Sequence, residues 1–229
     1  MPPVRAHVVV IFLFIVCVGV PYLAWKSKQR LGDGPLPMPR RRFFIQTILV
    51  QLYLFLIAVG AIWPDWRALF ELPPAPLRAW GAASLMFAVL LGVMWWRWPH
   101  RDADSKERLS RILPSERGDY PMYFLVCLAA GVFEEAIYRG AAAWLLERFT
   151  GSVILAVLIA SVVFALAHVI QGWRSVLVIF FIALGAHALV IFGSSLVPVM
   201  AAHALYDAAA GVLMPRWYER EKARNLSPP

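Results

Sequence analysis

Two adjacent glutamates and an arginine interrupt an apolar stretch that runs from about residue 121 to residue 146. A charged side chain at the centre of a bilayer costs about 2.5–3.5 kcal/mol unless it is paired, hydrated or used. On a helix, Glu135 and Arg139 share one face at i and i+4, with the acid before the base, which favours an ion pair. Glu134 points about 100° away from that face and needs another explanation. The alternative is that both glutamates share Arg139 across a helix interface.

Further polar side chains occupy the later apolar segments. Phe164 and His168 are i and i+4, so the phenyl ring is expected to pack beside the imidazole. His203 and Asp207 have the same spacing. The plainer interpretation of His168 is a hydrogen-bonded structural histidine, and that of the second pair is a local hydrogen bond. His187 has no charged neighbour on its own helix and is expected to be structural.

Glu134, His168, His203 and Asp207 come from three separate segments, and one polar pocket inside a helix bundle is their plausible common place. A carboxylate, two imidazoles and a second carboxyl group are sufficient to activate water and to stabilise an oxyanion. The same groups could also supply three or four zinc ligands. Because no HExxH helix is present, a metal site would have to be assembled from different helices.

The composition indicates a membrane protein as the framework for these groups. Of the 229 residues, 61% are hydrophobic and only 16% are charged, whereas about a quarter are charged in soluble domains. A helix needs about 20 apolar residues to cross a bilayer. We therefore predict an all-α transmembrane bundle of about seven spans. The predicted spans are 4–25, 44–63, 79–96, 121–146, 151–171, 174–193 and 195–214.

Breaker residues separate these blocks, beginning with the glycines and prolines at 32–35 and 37. Only 193–195 separates the last two spans, which predicts a tight antiparallel hairpin. The chain is expected to divide into three scaffold spans with basic loops (1–120), a catalytic bundle (121–214) and a basic tail (215–229). Cys17 and Cys127 lie in apolar blocks without a CxxC motif, which argues against a disulfide framework or a cysteine zinc site.

The basic residues predict the orientation of the bundle. With seven spans, 17 of the 22 Lys and Arg residues fall on one side of the membrane. The positive-inside rule therefore places the C-terminus in the cytoplasm and the N-terminus outside. A membrane setting also accounts for the net charge of +8 without a nucleic-acid partner. Tryptophan prefers the membrane interface, and all ten lie near predicted span ends: Trp25, Trp63, Trp66, Trp80, Trp95, Trp96, Trp98, Trp144, Trp173 and Trp217.

Three ordered motifs resemble those of the CPBP family, the intramembrane proteases related to the type II CAAX prenyl endopeptidase and to bacteriocin-processing and immunity proteins. They are Glu134-Glu135-x-x-x-Arg139, Phe164-x-x-x-His168 and His203-x-x-x-Asp207. The resemblance extends over about 121–211. It implies a helical membrane fold and the hydrolysis of peptide bonds within or beside the bilayer.

The resemblance also implies roles for these residues. Glu134 would activate water with help from His168, His203 and Asp207 would stabilise the oxyanion, and Glu135, Arg139 and Phe164 would support them. Position 207 is Asp where the prenyl endopeptidases have Asn, and an ionised carboxylate cannot donate a hydrogen bond. Either Asp207 is protonated, or it orients and charges His203. We expect no cofactor; the alternative is zinc held by Glu134, His168 and His203.

Two other functions remain as alternatives. Buried Glu and His residues also form the proton relays of membrane transporters, although we find no matching half-repeat of the kind expected from transporter folds. A non-catalytic immunity or scaffold protein could retain the same motifs. The expected partners are membrane lipid and a peptide or protein substrate with a membrane-proximal cleavage site. The expected location is the bacterial cytoplasmic (inner) membrane.

Overall fold

The computed structural model describes residues 3–31, 36 and 38–226, and these ranges contain helices and no strand. The predicted breakers at 32–35 and 37 lie outside the described residues. The principal helices are α1 (Ala6–Arg30), α2 (Arg40–Ala61), α3 (Pro76–Arg97), α4 (Ala103–Ile112), α5 (Arg117–Thr150), α6 (Val153–Ala167), α7 (Trp173–Gly193) and α8 (Val197–Leu226).

The helix lengths confirm an all-α polytopic membrane bundle and an integral membrane protein. Six helices of the described chain (α1, α2, α3, α5, α7 and α8) are long and apolar enough to cross a bilayer. The helix found within the predicted span 151–171 is shorter than that span, because α6 has only 15 residues. At 1.5 Å per residue it is about 22 Å long, less than the ~30 Å hydrocarbon core.

Local signals at both ends explain the short α6. Its first turn is capped by Ser152, whose hydroxyl accepts a hydrogen bond from the backbone N–H of Leu155. At its other end, the backbone of His168 leaves the helical region, with φ −98° and ψ 13°. A tight turn at Val169–Gln171 follows. His168 therefore lies directly after the last residue of a helix that is shorter than a full span.

Helix α5 lies at the centre of the bundle and packs against α2, α6 and α8. The main hydrophobic core includes Ala136, Ile137 and Ala141 from α5, together with Phe164 from α6. The hydrogen bonding of α5 widens to the i→i+5 pattern at Ala130–Glu134 and again at Ala136–Ala142. Such π-type turns occur frequently at functional sites. Here they flank Glu135 on both sides.

The last two helices differ from the sequence prediction. The short link between α7 and α8 contains Ser194 in the left-handed conformation, with φ 52°. Helix α8 packs chiefly against α3 and α5 and only slightly against α7, so the predicted tight hairpin is wrong.

Helix α8 also continues through Pro215 to Leu226, which places most of the predicted basic tail on its final turns. The aromatic contact of Trp217 with Trp98, directly after α3, and the contact with α4 hold this extension against the bundle.

Candidate active site

Glu134 faces two polar side chains from other helices. The Gln51 amide on α2 donates a hydrogen bond from Nε2 to Glu134 Oε1 at 2.7 Å. The other carboxylate oxygen, Oε2, lies 3.9 Å from His168 Nε2. Within the described chain, this Oε2 is buried and has no hydrogen-bond partner. Glu134 therefore has one oxygen held by an amide and the other free to act on a bound molecule.

The ring nitrogens of His168 have distinct roles. Nδ1 lies 2.8 Å from the backbone carbonyl oxygen of Phe164, one turn earlier in α6. Because a carbonyl oxygen only accepts, Nδ1–H must be the donor. In the neutral imidazole, Nε2 then carries the lone pair that faces Glu134. The break of α6 at His168 thus fixes both the position and the tautomer of the ring.

Glu135 points in the other direction, as its position on the helix predicted. Its Oε1 lies 3.1 Å from Arg139 Nη1, and the two side chains are almost fully buried. The same oxygen accepts a hydrogen bond from His203 Nδ1 at 2.7 Å. The described contacts do not show the alternative in which both glutamates share the arginine, because Glu134 faces Gln51 and His168 instead.

His203 is placed between two carboxylates. Nδ1 faces Glu135, and Nε2 lies 3.6 Å from Oδ2 of Asp207. This second separation is longer than a normal hydrogen bond, so the structure does not show the local His–Asp hydrogen bond of the plainer interpretation. The backbone carbonyl of Asp207 accepts a hydrogen bond from the Tyr123 hydroxyl at 3.1 Å. His203 therefore keeps its Nε2 edge available, next to the carboxyl group of Asp207.

Phe164 connects the two halves of the site. Its ring centroid lies 4.5 Å from that of His168 and 6.3 Å from that of His203. The guanidinium carbon of Arg139 lies 4.0 Å from the same ring centroid. This cation–π arrangement, in a buried position, stabilises the charge of Arg139. A single buried aromatic ring thus fixes the relative positions of both histidines and the arginine.

Two cavities border these residues. The larger, of about 570 Å³, is lined by Gln51, Glu134 and His168 together with apolar residues of α1 and α2. The smaller, of about 100 Å³, is lined by Glu135, Arg139, Phe164, His168, His203 and Asp207. His168 lines both. The structure therefore brings the predicted residues together around His168, but divides the single pocket that we expected into two.

The positions of the same residues bear on the alternative of a zinc site. Among the described residues, no three His, Cys, Asp or Glu side chains form a group that could hold a metal ion. Of the alternative zinc ligands, Glu134 Oε2 and His168 Nε2 are 3.9 Å apart, and Nδ1 of His203 is bonded to Glu135. A histidine bonded in this way through Nδ1 can still ligate a metal through Nε2, so this contact alone does not decide against zinc.

A close approach of helices α5 and α8 sets the distance between Glu135 and His203. Gly131 lies one turn before Glu135 in α5, against Met200 and Ala204 of α8. A Cβ atom at Gly131 would be 2.6 Å from the carbonyl oxygen of Met200 and 2.7 Å from Cβ of Ala204. Both are closer than real contacts allow, so only glycine permits this spacing.

Replacing Gly131 with Ala should therefore push α5 and α8 apart. Overpacking of this kind typically costs about 1–3 kcal/mol of stability. A displacement of about 1 Å between catalytic groups lowers the rate by about 10²-fold. The checks are thermal unfolding of the purified protein and the rate of the peptide hydrolysis that the motifs imply. Gly92→Ala is the matched control, because a Cβ there would meet nothing within 4 Å; equal effects of the two substitutions would contradict the proposed role of Gly131.

Two contacts in the site were not predicted from sequence. Gln51 lies in a span that we expected to be only scaffold, yet it is buried and bonds to Glu134. An amide in the middle of an apolar helix was the available signal, although Gln46 on the same helix gives the same signal. The bond from His203 to Glu135 had no local signal, since it joins residues 68 positions apart. His187 is buried on α7 and lines, together with Arg139, a different cavity from the two that border Glu134 and His203.

Comparison with protein families supports the motif-based interpretation. Residues 116–209, about two fifths of the chain, match the family model described as "Rce1-like: Type II CAAX prenyl endopeptidase Rce1-like". The matched segment contains all three motifs and confirms the predicted resemblance. The match supports a CAAX-type membrane endopeptidase in general terms. No curated protein and no solved structure matches the chain.

Proposed function

We propose that this protein is an intramembrane endopeptidase that cleaves membrane-associated proteins, such as those anchored or lipidated near the C-terminus. One observation carries the proposal: the free oxygen of Glu134 faces the lone-pair nitrogen of His168 at 3.9 Å within a membrane-spanning bundle. A charge kept at this depth is expensive unless it is used. The family match to 116–209 supports the same class of reaction.

The separation of these two atoms suits a water molecule that hydrogen-bonds to both. Glu134 Oε2 would remove a proton as the water oxygen attacks the carbonyl carbon of the scissile peptide bond. The carbonyl oxygen then becomes an oxyanion. The proton on Glu134 passes to the leaving nitrogen as the C–N bond breaks, which regenerates the carboxylate. His168 would orient the water through Nε2.

The oxyanion would be stabilised by His203. Glu135 is paired with Arg139 and holds the proton of Nδ1, while the Asp207 carboxylate favours a second proton on Nε2. His203 can then donate a hydrogen bond from Nε2 to the oxyanion. This arrangement favours the interpretation in which Asp207 orients and charges His203, over the one in which Asp207 itself donates.

Gln51 would determine which oxygen of Glu134 acts as the base. Its amide holds Oε1, so Oε2 alone remains to remove the proton. The amide oxygen of Gln51 is buried without a partner among the described residues, a cost of about 1–3 kcal/mol. An apolar residue of similar size would avoid that cost, which supports a functional reason for the amide.

Gln51→Leu should therefore lower kcat by about 10-fold to 100-fold and change KM little. Loss of a hydrogen bond to a charged group is worth about 1.5–3 kcal/mol. Steady-state kinetics on a cleaved peptide provide the measurement. Gln46→Leu makes the same change on α2, at the rim of the same cavity but without contact to Glu134. If Gln51→Leu and Gln46→Leu had the same kcat, the proposed role of Gln51 in catalysis would be refuted.

The proposed reaction proceeds without a metal or another cofactor, since Glu134 and the histidines supply the base and the oxyanion donor.

We retain the predicted division of the chain into scaffold spans, catalytic bundle and tail at residues 120 and 214, with α2 now contributing to the catalytic part. The bacterial cytoplasmic membrane remains the proposed location. The proposed partners are membrane lipid and a protein substrate, not nucleic acid.

Reconstitution tests the proposal against its alternatives. The full chain in proteoliposomes is given two fluorogenic peptides, one with a prenylated cysteine near its C-terminus and one with a single apolar span. We expect cleavage of at least one peptide at a membrane-proximal bond, and no proton flux beyond empty vesicles. Flux without cleavage of either would favour the transporter. A variant without peptidase activity that still complements a deletion would favour the immunity or scaffold protein.

A further inference from the structure

A separate cavity lies at the ends of α3 and α8, on the side of the membrane that carries the basic loops. Its volume is about 530 Å³. Four tryptophans and two arginines contribute to its lining: Trp95, Trp96, Trp98, Trp217, Arg220 and Arg224. None of these residues takes part in the reaction proposed above.

The tryptophans place this cavity at the boundary between lipid and water. Trp98 is buried, and its ring centroid lies 5.7 Å from that of Trp217, so the two form an aromatic floor. Trp95 and Trp96 at the rim are 70% and 62% exposed. Exposed tryptophans at the end of a membrane span are typical of the interfacial region. The cavity therefore opens where lipid headgroups lie.

The charged side chains around the aromatic floor carry a net positive charge. Glu221 also lines the cavity, but its carboxylate is neutralised by Nζ of Lys106 at 2.6 Å. Arg220 and Arg224 are one helical turn apart and exposed, and neither forms an ion pair within the described chain. The free charge at the cavity is thus that of two guanidinium groups. Guanidinium binds phosphate through paired, charge-assisted hydrogen bonds.

We propose that this cavity binds the headgroup of an anionic phospholipid from the leaflet on the side of the basic loops. The arginines would bind the phosphate, and the tryptophan rings would contact the glycerol and the first acyl carbons. The combination of an aromatic floor, exposed rim tryptophans and paired arginines favours a lipid over a free anion, which would gain nothing from the apolar surface. Basic residues at a membrane surface attract anionic lipids by about 1 kcal/mol each.

The test measures lipid retention by the full-length protein. The protein is released from vesicles containing equal phosphatidylglycerol and phosphatidylcholine, and bound lipids are counted by native mass spectrometry. We expect the wild type to retain phosphatidylglycerol selectively. The double substitution Arg220→Gln with Arg224→Gln should weaken that binding on the order of 10-fold to 30-fold. Both side chains are exposed, so folding should be preserved and is checked by thermal unfolding.

Two controls make the outcome decisive. The pair Arg41→Gln and Arg42→Gln removes the same charge from exposed positions at the start of α2. Equal loss of phosphatidylglycerol with this pair would show diffuse attraction and overturn the proposal. Displacement of the bound lipid by millimolar inorganic phosphate would indicate a site for free phosphate, and equal retention of phosphatidylcholine would exclude selectivity; either result would also overturn it.

Discussion

Replacing Glu134 with Gln should lower the rate of peptide cleavage by about 10²–10⁴-fold, the usual contribution of a general base. The amide has nearly the same shape as the carboxylate but cannot accept the proton of the attacking water. Its carbonyl oxygen can still accept the hydrogen bond from Gln51. We therefore expect kcat to fall with little change in folding. The measurement is the cleavage rate in proteoliposomes, alongside thermal unfolding.

Glu147→Gln provides the matched control for this prediction. Glu147 lies on the same helix, near its end, and is exposed. The substitution makes the same chemical change without touching the site. We expect its activity to equal that of the wild type. If Glu134→Gln lost activity only in proportion to a loss of folded protein, the catalytic role of Glu134 would be refuted.

Arg139→Leu should be the most destabilising single change in the site. It would leave the Glu135 carboxylate buried without its counter-charge, since the two side chains are each only 2% exposed. Removing one partner of a buried ion pair typically costs about 3–5 kcal/mol. It would also remove the guanidinium from the ring of Phe164. The unfolding free energy of the purified variant is the quantity to measure.

A second substitution separates stability from catalysis. Glu135→Gln combined with Arg139→Leu removes both charges, and replacement of a whole buried pair is often close to neutral. The amide oxygen at 135 can still accept the hydrogen bond from His203. We expect the double variant to recover most of the lost stability, while its activity stays below that of the wild type because His203 loses a negative neighbour. A double variant as unstable as Arg139→Leu would contradict this account.

Helical periodicity accounts for the parts of the site that could be predicted from sequence. The spacing of Glu135 and Arg139 predicted their ion pair, and that of Phe164 and His168 predicted their ring contact. Both are local interactions that a regular helix imposes. The direction of Glu134 away from this pair follows from the same geometry.

Long-range contacts could not be obtained in this way. The bonds from Gln51 to Glu134 and from His203 to Glu135 depend on how distant helices pack, which no local spacing encodes. His168 was expected near the end of its span, but the predicted bound at 171 was four residues too late, because Val169 and Ile170 are apolar although the backbone already turns at His168. That turn nevertheless determines which nitrogen of His168 faces the carboxylate.

Quantitative proteomics of the membrane peptides of three strains tests whether Glu134 is the catalytic base of a membrane protease. A deletion strain is complemented with the wild type, with Glu134→Gln or with no gene. If Glu134 is the catalytic base, the same uncut membrane-associated peptides accumulate in the Glu134→Gln and deletion strains and disappear with the wild type. A Glu134→Gln strain whose peptides match those of the wild type, at equal protein level, would contradict it.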